Sequence, residues 1–438
     1  MTDISSQATP NDAPLRDVGG LPARAAALDL LTAALSGRAG MDEGLSHPAL
    51  AALDGRDRAF ARALVMATLR HLGPIDSALQ ARVKKPPPDK VVQILRLGVA
   101  QAFVLKTPAH AAVTTSVDLV AQDRSLQMFK GLVNAVLRGL LREPPQLDDP
   151  ESMAPSWLYA RWRSAFGPDE ARKIAAVIAQ EPATDLSLKD PARGEALAAK
   201  LEAKVLPGGT LRTERRGDLA TWPEFAEGAW WVQDASAAIP ARLLGVRAGE
   251  TALDMCAAPG GKTLQLAAAG AKTVALDRSA VRLKRVAENL ARMELTAEVA
   301  ATDAATWPDK RSFDAVLLDA PCSATGTFRR HPDVLWAAKP SDVAGMAAVQ
   351  SKLLDAAARR TKAGGRLVYC VCSLEPEEGE GQVAAFLGRT PGMTLDPIAA
   401  GEGGAPDASV RRDGTLRILP HHIEGGTDGF YVARFRKA

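Results

Sequence analysis

The chain has 438 residues, room for two or three domains at roughly 100–200 residues each, with a core in every one. Apolar residues make up 47% and charged residues 24%, which excludes a disordered or fibrous chain, and no apolar run reaches the roughly 18–20 residues of a bilayer-spanning helix. The net charge is +3, yet between Arg56 and Arg142 fourteen Lys and Arg face five Asp, a local +9 that leaves −6 elsewhere; such an excess suits a polyanion or marks a solvated helical surface.

In chain order, residues 1–20 are a polar arm that is expected to be disordered and lacks the apolar stretch of a secretion signal. From Ala23 to Leu141 the apolar spacing is helical. Leu28, Leu31 and Leu35 repeat at that spacing, then Phe60, Leu64 and Ala67, then Ile94, Leu97, Gln101 and Val104. Pro86, Pro87 and Pro88 interrupt the run and Pro108 opens a further helix. The spacing predicts an all-α bundle over residues 21–145. The segment EPPQLDDPESMAP (residues 143–155) is a linker. Short helices around Trp157–Phe166 and over residues 169–180 begin a small connecting module, residues 155–240.

Residues 241–438 change pattern. Strands are predicted at 251–255, 273–276, 297–301, 315–318 and 366–371, separated by helices at 262–268, 280–293, 341–361 and 379–388. A closing strand contains Phe430, Val432 and Phe435. Repeated βα units give a mostly parallel sheet with helices on both faces, and ligands bind such sheets at the carboxyl ends of the strands.

The first of these strands runs into LDMCAAPGGKT, residues 253–263. Here Cys256, Ala257, Ala258, Pro259, Gly260, Gly261 and Lys262 form a turn that lets backbone approach a ligand at a helix N-terminus. It is neither a Walker A loop nor G-x-G-x-x-G. Acidic residues end three strands in succession, Asp277, Asp303 and Asp319. By analogy with dinucleotide folds, Asp277 would hold ribose hydroxyls and Asp303 would lie near an adenine amino group. Arg278, Arg282, Arg285 and Asn289 fall on or just before the next helix, as an exposed face or, for Arg282, as part of the cofactor site.

Cys322 and Cys372 follow strands of the sheet, whereas Cys370 is read as core. With Cys256 they are the four cysteines of the chain. Their spacing is not that of a disulfide framework, so a reducing, cytoplasmic compartment is expected. No CxxC pair or suitably spaced His is present, so no metal is expected.

The segments LDMCAAPGGKT, LLDAPCSATGTFRRHPDVLW and YCVCSLEPEEGE, with WVQDASA (residues 231–237) upstream and DGFYVARF (residues 428–435) downstream, resemble the RNA cytosine-C5 methyltransferase family. The likeness runs from Trp157 to the end of the chain. In the bundle, TPAHAAVTTSVDLV and FKGLVNAVLRGLL resemble the NusB-type antitermination factors. The combination is similar to the B-type methyltransferases of bacterial 16S ribosomal RNA. It implies a Rossmann-like S-adenosylmethionine methyltransferase domain preceded by a NusB-like RNA-binding bundle and the connecting module, acting as a monomer on 16S rRNA. A tRNA substrate, or an inactive assembly or antitermination factor, are the alternative readings.

The resemblance also implies roles. Cys372 would attack C6 of the cytosine, making C5 nucleophilic enough to take a methyl group, and Cys322 would assist product release. Asp319 would bond the cytosine ring and line the cofactor site. Lys262 would supply positive charge and help lower a thiol pKa. The base must leave its stack to enter such a pocket. Arg329, Arg330 and His331 are expected at RNA phosphates, and Gln233 and Asp234 near substrate and cofactor. Trp336 is read as core. Two positions depart from the family: Val371 replaces the Thr before the nucleophile, and DLSLKD (residues 185–190) replaces an Arg-Val-Asn-like segment.

Overall fold

Proline and aspartate set the helix starts of the first half. Asp54 accepts a hydrogen bond from the Asp57 N–H (2.7 Å) and caps a helix, while Pro88 and Pro108 are the residues just before two others. The structure is a computed structural model that describes residues 20–36 and 48–438. The expected disordered arm, apart from Gly20, lies outside the described residues. The chain divides into two compact units, Met1–Met153 and Ala154–Ala438. The division falls inside the Pro- and Asp-rich segment. The connecting module and the βα region therefore belong to one compact unit.

The described residues of the first unit are helical: α1 (Leu21–Leu35), α2 (Pro48–Ala51), α3 (Gly55–Arg70), α4 (Leu72–Gln80), α5 (Asp89–Val99), α6 (Ala109–Gln122) and α7 (Lys130–Arg142). Leu31, Leu64, Ile94, Leu97, Val120 and Val133 are wholly buried among them. After Val99 the chain widens into a π-helical turn, Ala100–Val104, which brings Gln101 to the Arg24 guanidinium (2.6 Å) in the core. Gly98 lets α5 pass close to α6 and α7, since a side chain there would come within 2.8 Å of both Ser116 and Leu137.

The second unit opens with α8 (Ser156–Phe166) and α9 (Pro168–Ala176). β1 (Thr184–Leu188), α10 (Gly194–Leu201), β2 (Ala203–Val205), β3 (Leu211–Thr213) and β4 (Trp230–Val232) follow, and the strands form an antiparallel sheet in the order β2-β3-β1-β4. Then come α11 (Ala235–Leu244), β5 (Thr251–Met255), α12 (Gly261–Ala268), β6 (Lys272–Asp277), α13 (Ala280–Arg292), β7 (Glu298–Ala301) and β8 (Phe313–Asp319). The chain ends with α14 (Asp333–Ala337), α15 (Pro340–Arg360), β9 (Thr361–Val371), α16 (Glu380–Arg389), β10 (Met393–Leu395), β11 (Leu416–Ile418) and β12 (Phe430–Lys437).

The main sheet has the order β10-β12-β9-β8-β5-β6-β7, with β11 paired to β12. The strands from β9 to β7 are parallel, and β10, β11 and β12 are antiparallel. Alternation along each strand feeds two cores. Leu253, Met255 and Leu318 pack with Leu354 of α15 on one face, and Ala252, Leu317 and Val368 pack with Ile239 and Leu244 of α11 on the other. Among the described residues no helix is long and apolar enough to cross a membrane.

Candidate active site

From β5 the next strand lies on one side and β8 on the other, and this reversal of strand order opens a crevice at the carboxyl ends of β5, β6, β8 and β9. β5 ends at Met255, and the next residue, Cys256, has a φ of 63°, left-handed and uncommon for a residue with a side chain. Gly260 precedes α12 with φ 109°, a backbone open in practice to glycine. A side chain at Gly261 would press on Gln233, 3.2 Å away. Gln233 is buried over this turn, accepting from the Trp231 indole N–H (2.8 Å) and donating to Gln265 (2.9 Å).

Two cavities meet this turn. The larger, about 470 Å³, is lined by Asp254, Pro259, Lys262, Asp319, Arg330 and His331 among others. Asp254 is fully buried; Oδ2 accepts from Thr263 (2.6 Å), whereas Oδ1 has no partner within the protein. Burial pushes this carboxyl up to about 7. An orphaned carboxylate oxygen in a cavity wall fits a ligand carrying a donor, such as an amino group. The smaller cavity, about 190 Å³, is lined by Cys256, Asp277, Arg278, Asp303, Ala304 and Leu353 among others. Carboxylates on one wall and apolar side chains on the other suit an adenosine. Asp277 accepts from the N–H groups of Ala258 (3.1 Å) and Ser279 (2.9 Å), and Arg282 donates to the Ala258 carbonyl (2.5 Å), so both hold the turn.

Lys262 and Asp319 form an ion pair of 2.7 Å in the larger cavity. Burial would lower the Lys262 ammonium, but Asp319, Cys370 and Cys372 hold it well above the usual lysine range. Cys370 is wholly buried and its thiol donates to Asp319 Oδ1 (3.4 Å), a core position with a polar tie. The Sγ atoms of Cys322 and Cys372 are 3.4 Å apart, and both residues are partly exposed. Their mutual hydrogen bond, and then burial, push the Cys322 thiol well up from the usual cysteine range.

One carboxylate fixes both thiol loops. Glu378, fully buried, accepts from the Ser323 N–H (2.8 Å) and hydroxyl (2.5 Å), from the Ser373 hydroxyl (2.5 Å) and from Gln350 (3.0 Å). Ser323 and Ser373 each directly follow one of the two cysteines. Arg161 of α8 ties Glu375 and Glu377 in the same segment. Asp254, Glu378 and Glu375 escaped the sequence reading; the S-x-x-x-x-E spacing after Cys372 was the available signal for Glu378.

The expected RNA-binding residues divide differently. Arg329 is only 1% exposed, with its guanidinium against Gly426 and donating to the Gly425 carbonyl (2.7 Å). That corrects its expected phosphate role, because a guanidinium inside the fold does not reach a phosphate backbone. Arg330 bonds Asp234 (2.9 Å) and lies 3.6 Å from Asp185 and 3.7 Å from Asp428. Its charge is taken up by protein carboxylates, although it still lines the large cavity. Asp234 Oδ1 accepts from Ser236, Thr427 and the Asp428 N–H. Burial would raise the Asp234 carboxyl, but the Arg330 charge and these hydrogen bonds hold it well below the usual carboxylate range. Burial and the Asp234 charge push Asp428 up to about 8. His331 is half-buried in the same cavity wall, and Trp336 is half-buried.

The unexpected DLSLKD segment belongs to this network. Asp185, wholly buried, is gripped by both arms of Arg212 (2.7 and 2.8 Å) and accepts from the Ala235 N–H (3.0 Å). Asp185→Ala is expected to destabilise the second unit by about 3–5 kcal/mol, since it leaves the buried Arg212 guanidinium without its carboxylate; denaturant unfolding measures this. Apart from the crevice, one group of potential metal donors assembles among the described residues, Glu170, His421 and His422. Its carboxylate is already bonded to Lys173 and His421 (2.7 Å each).

Comparison with known proteins agrees with this geometry. Residues 241–436 match the family described as 16S rRNA methyltransferase RsmB/F, and residues 21–142 match the NusB family. Ribosomal RNA small subunit methyltransferase B of Pseudomonas putida is 38% identical, over 94% of this chain and 98% of that protein. The protein of the same name from Vibrio cholerae is 37% identical, over 87% and 90%. Among solved structures, PH0851 superposes with TM-score 0.78 at 25% identity, covering 96% of this chain and 99% of its own. A methyltransferase homolog from Pyrococcus horikoshii gives TM-score 0.56 at 26% identity, covering 69% of this chain and 98% of its own. With a crevice built for an adenosine ligand, paired thiols beside it, and relatives alike along nearly their whole length, the chain belongs to the ribosomal RNA small subunit methyltransferase B family.

Proposed function

We infer that the chain transfers a methyl group from S-adenosylmethionine to C5 of a cytosine in 16S rRNA, with Cys372 as the covalent nucleophile. What supports the nucleophile is the 3.4 Å thiol pair at the strand ends, with the Lys262–Asp319 ion pair in the same crevice. Membership of the family supports the reaction and the substrate.

Asp277 and Asp303, with the turn from Cys256 to Gly261 and Asp254, would hold the cofactor. Bound there, S-adenosylmethionine supplies an electrophilic methyl group. The protein's own work is to make C5 of cytosine reactive. The Cys372 thiolate adds at C6, which turns C5 into an enamine-like carbon. Asp319, held by Lys262, is placed to bond the ring as charge develops. Once C5 carries the methyl group, a base takes the C5 proton, the C6–S bond breaks and Cys372 leaves as a thiolate, with the Cys322 sulfur 3.4 Å from it to assist release. Asp277→Ala is expected to weaken cofactor binding roughly ten- to a hundredfold, the cost of one or two charged hydrogen bonds; calorimetric titration of S-adenosylmethionine measures it.

Free cysteines in the site suit a reducing cytoplasm. Naked or early-assembly rRNA is the preferred form, because the target base must be free to leave its stack. The test is transfer of labelled methyl groups to free 16S rRNA, assembled small subunits and tRNA. Label in cytosine of free 16S rRNA is expected. Label confined to tRNA would overturn the substrate, and label confined to assembled subunits would overturn the preferred form.

A further inference from the structure

We propose that Cys322 and Cys372 join in a reversible disulfide when a hydroperoxide reaches the crevice, and that this modification switches methyl transfer off. The sulfurs are 3.4 Å apart, against about 2.05 Å in a disulfide. The backbones that carry them are already side by side. Asp319 faces Cys370 in register, the Ala320 N–H donates to the Cys370 carbonyl (3.0 Å), and the Gly326 N–H donates to the Cys372 carbonyl (3.0 Å). These two hydrogen bonds bracket the cysteines, and Glu378 anchors Ser323 and Ser373, the residues that follow them. Closing the remaining gap therefore asks for side-chain rotation rather than for new loop positions. The other thiol on the same strand, Cys370, is wholly buried and bonded to Asp319, while Cys322 and Cys372 are partly exposed.

The chemistry balances without a metal or cofactor. The Cys372 thiolate attacks an oxygen of the hydroperoxide, the O–O bond breaks, and the departing alkoxide or hydroxide takes up a proton. Cys372 is then a sulfenic acid. The Cys322 sulfur attacks that sulfur, an S–S bond forms, and the sulfenic oxygen leaves as water with the Cys322 proton. Two thiols are oxidised, and the hydroperoxide is reduced to an alcohol, or to water, with one further water formed. An external thiol reverses the change by exchange. In this state the nucleophile is masked, and it is spared the further oxidation to sulfinic acid that thiols do not reverse.

The crosslink rests on the sulfur geometry; its effect on activity also rests on Cys372 as the nucleophile. The test exposes the reduced full-length protein to graded hydrogen peroxide. One portion is alkylated and peptide-mapped by mass spectrometry, and another is assayed for methyl transfer before and after dithiothreitol. The expected result is a peptide pair joined through Cys322 and Cys372, lighter by two hydrogens, with Cys370 still a thiol. Activity is lost in proportion and regained on reduction. In Cys322→Ala, Cys372 is expected to pass to a sulfinic acid that dithiothreitol does not restore. Wild-type protein that gains two oxygens at Cys372 while Cys322 stays free, or in which neither cysteine reacts, would overturn the crosslink. A complete crosslink with full methyl transfer would leave the disulfide standing, and would overturn both the switch and the nucleophile.

Discussion

Cys372→Ala is expected to lower methyl transfer to 16S rRNA by at least about a thousandfold, because what remains after loss of a covalent nucleophile is binding and orientation. Cofactor binding should be untouched, since Cys372 lines neither of the two cavities assigned to it. Folding should change little: the side chain is small, partly exposed, and its hydrogen bond is to Cys322 alone among the contacts described. Single-turnover transfer of label, with calorimetric titration of S-adenosylmethionine on the same preparation, separates the two effects. Wild-type rates in Cys372→Ala would move the nucleophile elsewhere.

Cys322→Ala is expected to fail at the other end of the reaction. The sulfur that must leave C6 lies 3.4 Å from the Cys322 sulfur, within hydrogen-bond reach of it. Without that neighbour the adduct forms and persists. A protein–RNA species stable on a denaturing gel should accumulate, with turnover reduced to about a single event per enzyme. The same species should be absent from Cys372→Ala and from the double variant. A Cys322→Ala enzyme that turns over normally and leaves no adduct would remove Cys322 from product release.

The elements legible in the sequence were those with strong periodicity. The β5 turn, the acidic strand ends and the helices at 280–293 and 341–361 were read within a few residues, because βα alternation and apolar spacing are local signals. The antiparallel sheet β2-β3-β1-β4 was not, since strands of three to five residues leave almost no period to detect. α11 was missed for a related reason: Pro240 sits inside it, and it follows a segment already read as a substrate motif. At the site, the cysteines and cofactor turn were legible because their chemistry is rare. The surroundings of Arg329 and Arg330 were not legible, because a sequence displays charge but not its partners. Three carboxylates around Arg330, from positions 185, 234 and 428, are distant in the chain. Asp254 was hidden for the opposite reason, as one polar letter in an apolar strand.

The same charge cluster has a mechanical consequence. Arg330 draws together β1, the turn before α11, the segment after Cys322 and the turn before β12. To hinge any one of these away from the others would separate opposite charges in a largely buried cluster, where that separation is costly. The floor of the crevice thus behaves as one stiff casting, its shape set at folding rather than on encounter. Recognition then demands little rearrangement of the protein. The nucleic acid is then the partner expected to yield, and a cytosine that swings out easily is expected to be modified faster than one held in a stack.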